Sequence, residues 1–293
     1  ERLRCCACMI DWLLPTVVNI VGVAGLGIAS SLALRTMTWR SLLLPTAGAY
    51  LIAALTLVAL GDAGLAFDGD WGWALLSGGL IVTAFVSMNV ALGSGEASKV
   101  ITFSAAYPAV TLLLAAVALG EAVSGGRWLG TFLVIAGVSV IALSGPQLPA
   151  ALRAPRSWGW LAPTLVFTCA LGVIGVTSRL ALETLSWRDL VVWAALGYTT
   201  AAVVVFLHGR TRGVELVRAN GWAAVAGVLA VLSLAALYLA LGNGEASIVI
   251  PVSSAFPIVT LLLAWLLLGE RLTARRSLGT LVVVMGVVVI TAV

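Results

Sequence analysis

The sequence has very few charged residues. Aspartate, glutamate, lysine and arginine make up 10% of the 293 residues, whereas hydrophobic residues make up 61%. A soluble domain contains about 25% charged residues, so a surface of this composition is unsuited to water. The composition therefore excludes an ordinary soluble domain and predicts an integral membrane protein.

Groups that carry out catalysis or bind metals are scarce as well. The chain has one histidine, His208, which falls in a predicted loop. No Gly-x-Ser-x-Gly or His-Glu-x-x-His motif occurs, and no carboxylate lies in the middle of an apolar segment. Catalysis within a membrane needs positioned acids, bases or metal ligands. We therefore predict that the protein is not an enzyme and that it has no metal site and no cofactor.

The net charge of +4 is spread over short loops. The sequence has no basic stripe of the kind that binds nucleic acid, so the expected partners are the lipid bilayer and a small-molecule substrate. The four cysteines are too few for a disulfide framework. Cys5, Cys6 and Cys8 precede the first apolar segment and are compatible with S-acylation or with unmodified thiols.

Long apolar segments are abundant. About 20 apolar residues are needed to cross about 30 Å of hydrocarbon. In lipid, backbone groups must bond within their own segment, and barrel strands would alternate polar and apolar residues, so helices are predicted. The fold class is thus an all-α membrane protein with ten transmembrane helices. The ten segments lie at residues 12–34, 41–60, 72–92, 98–119, 128–145, 158–178, 189–207, 221–241, 247–268 and 277–293.

One stretch of the sequence occurs twice. Residues 92–141, beginning LGSGEASKVITF, align without gaps with residues 241–290, beginning LGNGEASIVIPV. We predict two homologous five-helix repeats, at residues 1–145 and 158–293, joined by a linker at 146–157. Because five is odd, the second repeat enters the membrane from the opposite face. Such inverted repeats are typical of secondary transporters, whose halves meet around a binding site.

Proline-broken helices in matching positions of the two repeats predict the substrate site. An aromatic-proline pair stands in the middle of the fourth and of the ninth span, where proline removes a backbone hydrogen bond. The predicted hinge or kink residues are Pro108, Pro251 and Pro257. The predicted substrate-binding residues are the polar and aromatic side chains in or beside the spans: Asn19, Asn89, Lys99, Thr102, Tyr107, Tyr238, Ser253, Ser254 and Phe256.

Lys99 stands in the first turn of the fourth span, three residues after Glu96. An ionisable residue in the hydrocarbon region is costly and is a candidate for function. Lys99 fits a counter-ion for an anionic substrate, and it also fits a lysine that pairs with Glu96 and extends to the interface. Glu96 and Glu245 occur at the start of a span in both repeats and are predicted to stabilise helix N-termini.

The runs Pro108 to Glu121 and Pro257 to Glu270, each followed by a Leu-Gly-Thr triplet, resemble the EamA-type repeat of the drug/metabolite transporter superfamily. The resemblance covers nearly the whole chain. It implies a ten-helix carrier that works by alternating access, with a cavity lined by spans 1, 3, 4, 6, 8 and 9. Small multidrug members of the superfamily use a glutamate within the first span, which this chain lacks. A facilitator or exchanger is therefore favoured over proton/drug antiport.

The expected function is secondary transport of a small metabolite, amino-acid-like or otherwise polar or amphipathic, by an exporter or facilitator. The alternative is an exchanger of phosphorylated or carboxylated metabolites with Lys99 as counter-ion. We expect a monomer or homodimer in the plasma or inner membrane. The distribution of basic residues favours termini outside the cell, whereas the family resemblance implies cytoplasmic termini.

Overall fold

The computed structural model of the chain describes residues 2–65, 67, 69–94, 100, 103–143, 158–208, 220–268 and 273–293, and for residues 2–10 it describes the backbone alone. Over these residues the regular structure is helical throughout, with a 3₁₀ turn at Trp158–Trp160. The α-helices are α1 (Arg2–Ala33), α2 (Trp39–Ala59), α3 (Trp71–Ser94), α4 (Tyr107–Ala118), α5 (Gly125–Leu143), α6 (Leu161–Ala181), α7 (Trp187–His208), α8 (Gly221–Asn243), α9 (Ala246–Ser253), α10 (Phe256–Leu268) and α11 (Ala274–Ala292).

In the part of the chain that the structure describes, eight helical segments are long and apolar enough to cross a membrane, and two shorter apolar helices accompany them. The short helices, Tyr107–Ala118 and Gly125–Ile141, fall in the fourth and fifth predicted spans. One of the long segments, Ala246–Leu263, contains α9 and the beginning of α10. The prediction of an all-α protein is confirmed, and each of the ten segments overlaps one of the ten predicted spans.

Side-chain caps set the start of several helices. Thr38 accepts a hydrogen bond from the backbone of Ser41 at the start of α2, and Asn220 accepts one from Trp222 at the start of α8. Thr273 does the same for α11. Such caps bind backbone N–H groups that have no partner inside the helix, so these starts follow from the local sequence.

The helices form two compact units. The first unit contains Glu1–Val82 and Thr177–Gly244, and the second contains Thr83–Val176 and Glu245–Val293. In the first unit, α1 packs against α8, and α2 packs against α7 and α8. In the second unit, α5 packs against α11, and α4 packs against α9. Each unit therefore combines helices from both halves of the sequence.

Within the second unit, α5 and α11 approach each other closely at glycines. A Cβ atom on Gly137 would lie 2.6 Å from the carbonyl oxygen of Gly279, and one on Gly286 would lie 2.7 Å from that of Gly130. Gly130 and Gly137 are the repeat equivalents of Gly279 and Gly286. Because Gly130 meets Gly286 and Gly137 meets Gly279, these equivalent helices run antiparallel. Small residues permit such close approach between membrane helices.

The first unit contains a similar reciprocal contact. A Cβ atom on Gly78 in α3 would overlap the carbonyl oxygen of Ala194 in α7. One on Gly227 in α8 would lie 3.5 Å from the Cα atom of Thr46 in α2. Gly78 is the repeat equivalent of Gly227, and Thr46 is that of Ala194. The same pair of repeat positions is therefore in contact twice.

Candidate functional site

The ninth predicted span is interrupted between α9 and α10. The N–H of Ala255 bonds to the carbonyl oxygen of Val252 at 3.1 Å, and the N–H of Ile258 bonds to that of Ala255 at 3.0 Å. Both bonds reach back three residues instead of four, which tightens the chain into a turn. Pro257 has no N–H to offer the Ser253 carbonyl. The interruption therefore lies where the sequence places the proline, whereas α9 continues through its other proline to residue 253.

The fourth predicted span is interrupted in the same way just before α4. The N–H of Ala106 bonds to the carbonyl oxygen of Phe103 at 3.2 Å, and the N–H of Ala109 bonds to that of Ala106 at 3.0 Å. These three residues are the repeat equivalents of those that bond in the ninth span. Pro108 occupies the position of the second proline. Both breaks thus use the same two backbone bonds.

Three of the predicted binding residues meet at these breaks. The Tyr107 hydroxyl, at the start of α4, lies beside the side-chain hydroxyls of Ser253 and Ser254 at the end of α9. The two serine hydroxyls donate to the carbonyl oxygens of Ile250 and Pro251, at 2.9 and 2.6 Å. Each serine oxygen can therefore still accept a hydrogen bond from the tyrosine. We call Tyr107, Ser253 and Ser254 the hydroxyl cluster.

Other predicted residues of the second unit take separate positions. Asn89 is half-buried and donates to the carbonyl oxygen of Phe85 in its own helix at 2.8 Å. Phe256 is half-buried at the first position of α10. Glu96, Lys99 and Thr102 lie outside the described residues.

Two predicted binding residues lie in the first unit, where their polar groups bond between helices. The Asn19 amide in α1 donates to the carbonyl oxygen of Ser233 in α8 at 2.8 Å, and both residues are buried. The fully buried Tyr238 hydroxyl lies 3.0 Å from the Ser77 hydroxyl of α3. Hydrogen bonds of this kind join helices in membrane bundles.

A polar cluster surrounds the start of α9. The Glu121 carboxylate accepts hydrogen bonds from the backbone N–H groups of Ala246 and Ser247, both at 2.8 Å. The Arg127 guanidinium pairs with the Glu245 carboxylate and donates to the Ser247 hydroxyl at 3.0 Å. We call Glu121, Arg127, Glu245 and Ser247 the α9-start cluster.

The α9-start cluster was missed by reasoning from the sequence. Glu245, predicted as a helix-start carboxylate, stands at the N-cap position, but its side chain makes no capping bond there. Glu121 caps the helix in its place. The available signal was the recurrence of Glu121 and Arg127 as Glu270 and Arg276 at the same repeat offset.

Comparison with known proteins agrees with this architecture. The profile of the EamA-like transporter family matches residues 12–143 and 158–292. An uncharacterised protein of Methanocaldococcus jannaschii is 38% identical over 69 residues, which cover 24% of this chain and 50% of that protein. The chain thus spans half the length of this curated relative. A protein solved by crystallography superposes with a TM-score of 0.71 at 17% identity, covering 94% of this chain and 98% of that one, which shows the fold alone.

The family profile matches in two successive blocks that together cover nearly the whole chain. The resemblance to the EamA-type repeat is therefore confirmed, and the apolar helices make the protein an integral multi-pass membrane protein. The chain belongs to the EamA-like transporter family, whose members are membrane transporters and not enzymes.

Proposed function

We propose that the protein is a secondary transporter that moves a small metabolite across the membrane by alternating access, as an exporter or facilitator. The observation that carries this proposal is the pair of matching helix breaks with the hydroxyl cluster beside them. Secondary transporters bind substrates at discontinuous helices in matching positions of their repeats. The substrate site would contain Tyr107, Ser253 and Ser254.

The chemistry of the hydroxyl cluster suggests the class of substrate. Its three side chains are neutral, and the helices α4, α9 and α10 contain no charged residue. Neutral hydroxyls donate and accept hydrogen bonds without requiring a charged partner. We therefore propose a polar or amphipathic solute of the amino-acid type.

The proposal includes two inverted five-helix repeats. The antiparallel contact between the equivalent helices α5 and α11 supports it, because helices that are equivalent in inverted repeats cross the bilayer in opposite directions. In the first unit the rings of Tyr50 and Tyr198, which are repeat equivalents, lie 4.8 Å apart. Contact between equivalent residues is expected beside a twofold axis. We place this protein, as a monomer or homodimer, in the plasma or inner membrane.

Transport by proteoliposomes tests the proposal. Labelled amino acids, sugars, nucleotides and phosphorylated metabolites would be offered to vesicles that are empty or preloaded with the same solute. Tyr107→Phe removes one hydroxyl from the cluster and should raise the KM of the transported solute by about 2- to 10-fold, the equivalent of one neutral hydrogen bond. The maximal rate should remain within about twofold, because the ring is retained.

Thr260→Val is the matched control, because the Thr260 hydroxyl bonds to the carbonyl oxygen of Phe256 in its own helix at 3.1 Å. This control should transport like the wild type. A wild-type protein that moves no solute of the panel would refute the transporter proposal. Equal KM values for Tyr107→Phe and wild type would remove the hydroxyl cluster from the site.

A second candidate is an exchanger of anionic metabolites with Lys99 as counter-ion. Lys99 is the one lysine of the sequence and precedes Tyr107 in the same predicted span. Exchange of phosphorylated or carboxylated solutes that is lost in Lys99→Ala, with normal amounts of folded protein, would favour this candidate. Unchanged exchange in that variant would reject it.

A further inference from the structure

Helices α4 and α9 are in contact through side chains at both ends of α9. At one end, the Tyr107 hydroxyl at the start of α4 lies beside the hydroxyls of Ser253 and Ser254 at the end of α9. At the other end, Glu121, three residues beyond α4, accepts the first two N–H groups of α9. The eight residues of α9 span about 12 Å at the usual rise of an α-helix. The α9-start cluster therefore lies at the first turn of α9, and the serines of the hydroxyl cluster lie at its other end, about 12 Å away.

Glu121 is well suited to hold the start of α9. The first N–H groups of a helix have no partner within it and carry a partial positive charge, so a carboxylate binds them strongly. Gly120 has a φ of +65°, which turns the chain back after α4. The Glu121 N–H bonds to the carbonyl oxygen of Ala115 at 3.2 Å. The carboxylate is thus fixed to the end of α4.

Arg127 reinforces this arrangement from the start of α5. Besides its contacts with Glu245 and Ser247, its guanidinium donates to the carbonyl oxygen of Ala122 at 3.2 Å. The Arg127 side chain is 13% exposed, whereas that of Glu245 is 49% exposed. Arg127 is a largely buried positive charge that pairs with the Glu245 carboxylate and joins α9 to the chain segment between α4 and α5.

The sequence contains the residues of the α9-start cluster twice. Every member has the same residue type at its repeat equivalent, and these equivalents are Glu96, Ser98, Glu270 and Arg276. The sequence therefore provides the residues of such a cluster in each repeat.

We propose that Glu121 and Arg127 are positioning residues for transport, an inference that rests on the proposed function. By fixing the start of α9 they fix Ser253 and Ser254 at its other end relative to Tyr107. A short helix such as α9 moves as a rigid body, so a shift of its first residues also shifts its last residues. Weakening the cluster therefore weakens substrate binding while leaving the hydroxyl groups chemically intact.

Two measurements on the same variants test this inference. Glu121→Gln keeps the shape of the side chain and removes its charge. Hydrogen exchange followed by mass spectrometry should show faster exchange at residues 246–249 and, by transmission along α9, at residues 252–256. In proteoliposomes the KM should rise by about tenfold, as expected for weakening a charge-assisted interaction, and the maximal rate per folded protein should change by less than about twofold. Glu183→Gln is the control, since Glu183 is exposed in the first unit.

A charge exchange tests the role of Arg127. Arg127→Glu places three carboxylates at the start of α9 and should raise the KM more than Glu121→Gln does. In the double variant Arg127→Glu with Glu245→Arg, positions 127 and 245 again carry opposite charges. Its KM should return at least halfway to the wild-type value on a logarithmic scale. Arg275→Gln, a change at an exposed arginine in the first turn of α11, should have no effect.

The outcomes separate this inference from the proposed function. A Glu121→Gln protein with faster exchange at 246–249 but unchanged exchange at 252–256 and an unchanged KM would mean that Glu121 is a helix cap alone, and would overturn the inference. Failure of the charge exchange to recover the KM would overturn the role of Arg127. If the wild type transported nothing, the proposed function would fail, and the exchange rates at 252–256 would still decide whether the cluster positions the break.

Discussion

The contact between α5 and α11 makes a quantitative prediction about Gly137→Ala. The added Cβ would lie 2.6 Å from the carbonyl oxygen of Gly279 and 2.6 Å from a Val283 methyl group. A carbon and a carbonyl oxygen in contact are normally about 3.3 Å or more apart. One helix must therefore move by about 0.7 Å, because a backbone carbonyl cannot rotate out of the way as a side chain can.

The expected change in the free energy of unfolding follows from two opposing effects. Overpacking of this kind costs about 1–3 kcal/mol. Replacing glycine by alanine within a helix stabilises it by about 0.5–1 kcal/mol. For Gly137→Ala we expect a net loss of up to about 2.5 kcal/mol in the free energy of unfolding. At Gly48 in α2 a Cβ would meet nothing within 4 Å, so Gly48→Ala should show the stabilisation alone.

Thermal unfolding of the purified protein in one detergent would measure this difference. The expected order of midpoints is Gly48→Ala, wild type, then Gly137→Ala. The double variant Gly137→Ala with Gly279→Ala should lose less than the sum of the single losses, because one separation of the helices relieves both clashes. A Gly137→Ala protein as stable as Gly48→Ala would refute the close contact between α5 and α11.

Two further predictions concern the contribution of hydrogen bonds to the stability of the first unit. Asn19→Ala should lower the free energy of unfolding by about 1–3 kcal/mol, because the buried Ser233 carbonyl loses its donor. Asn89→Ala should cost less, since that amide bonds within its own helix; equal losses in thermal unfolding would contradict the interhelical role of Asn19. Asp189→Asn should lower the unfolding midpoint by the equivalent of about 1 kcal/mol, as its carboxylate caps the start of α7 and accepts the Gly64 N–H at 2.9 Å. An unchanged midpoint in that variant would show that these bonds contribute nothing to stability.

The positions of the helices could be predicted because a membrane span must be apolar over a fixed length. The turns before Pro108 and Pro257 also lie where a proline removes a backbone donor, whereas α9 continues through Pro251, for which the sequence predicts a kink as well. These features depend on neighbouring residues alone. Local sequence therefore contains the information that determines them.

The polar contacts could not be predicted in the same way. Glu121 next to a glycine reads as an ordinary loop charge, and the N–H group it binds is 125 residues away. A lone amide such as Asn19 fits a cavity and an interhelical bond equally well until its partner is known. That partner, Ser233, is 214 residues away. Hydropathy does not specify which helix faces which, so the use of each polar group stayed open.

The pairing of α1 with α8 has a consequence for how the chain is made. At a synthesis rate of about 5–20 residues per second, the 214 residues between Asn19 and its acceptor take about 10–40 s to emerge. During that time α1 is already long enough to be inserted, yet the carbonyl that its amide will bind does not exist. We expect the insertion machinery, a lipid headgroup or water at the interface to satisfy this amide until the second half arrives. Helix α1 is therefore synthesised well before α8, the helix whose carbonyl its amide binds.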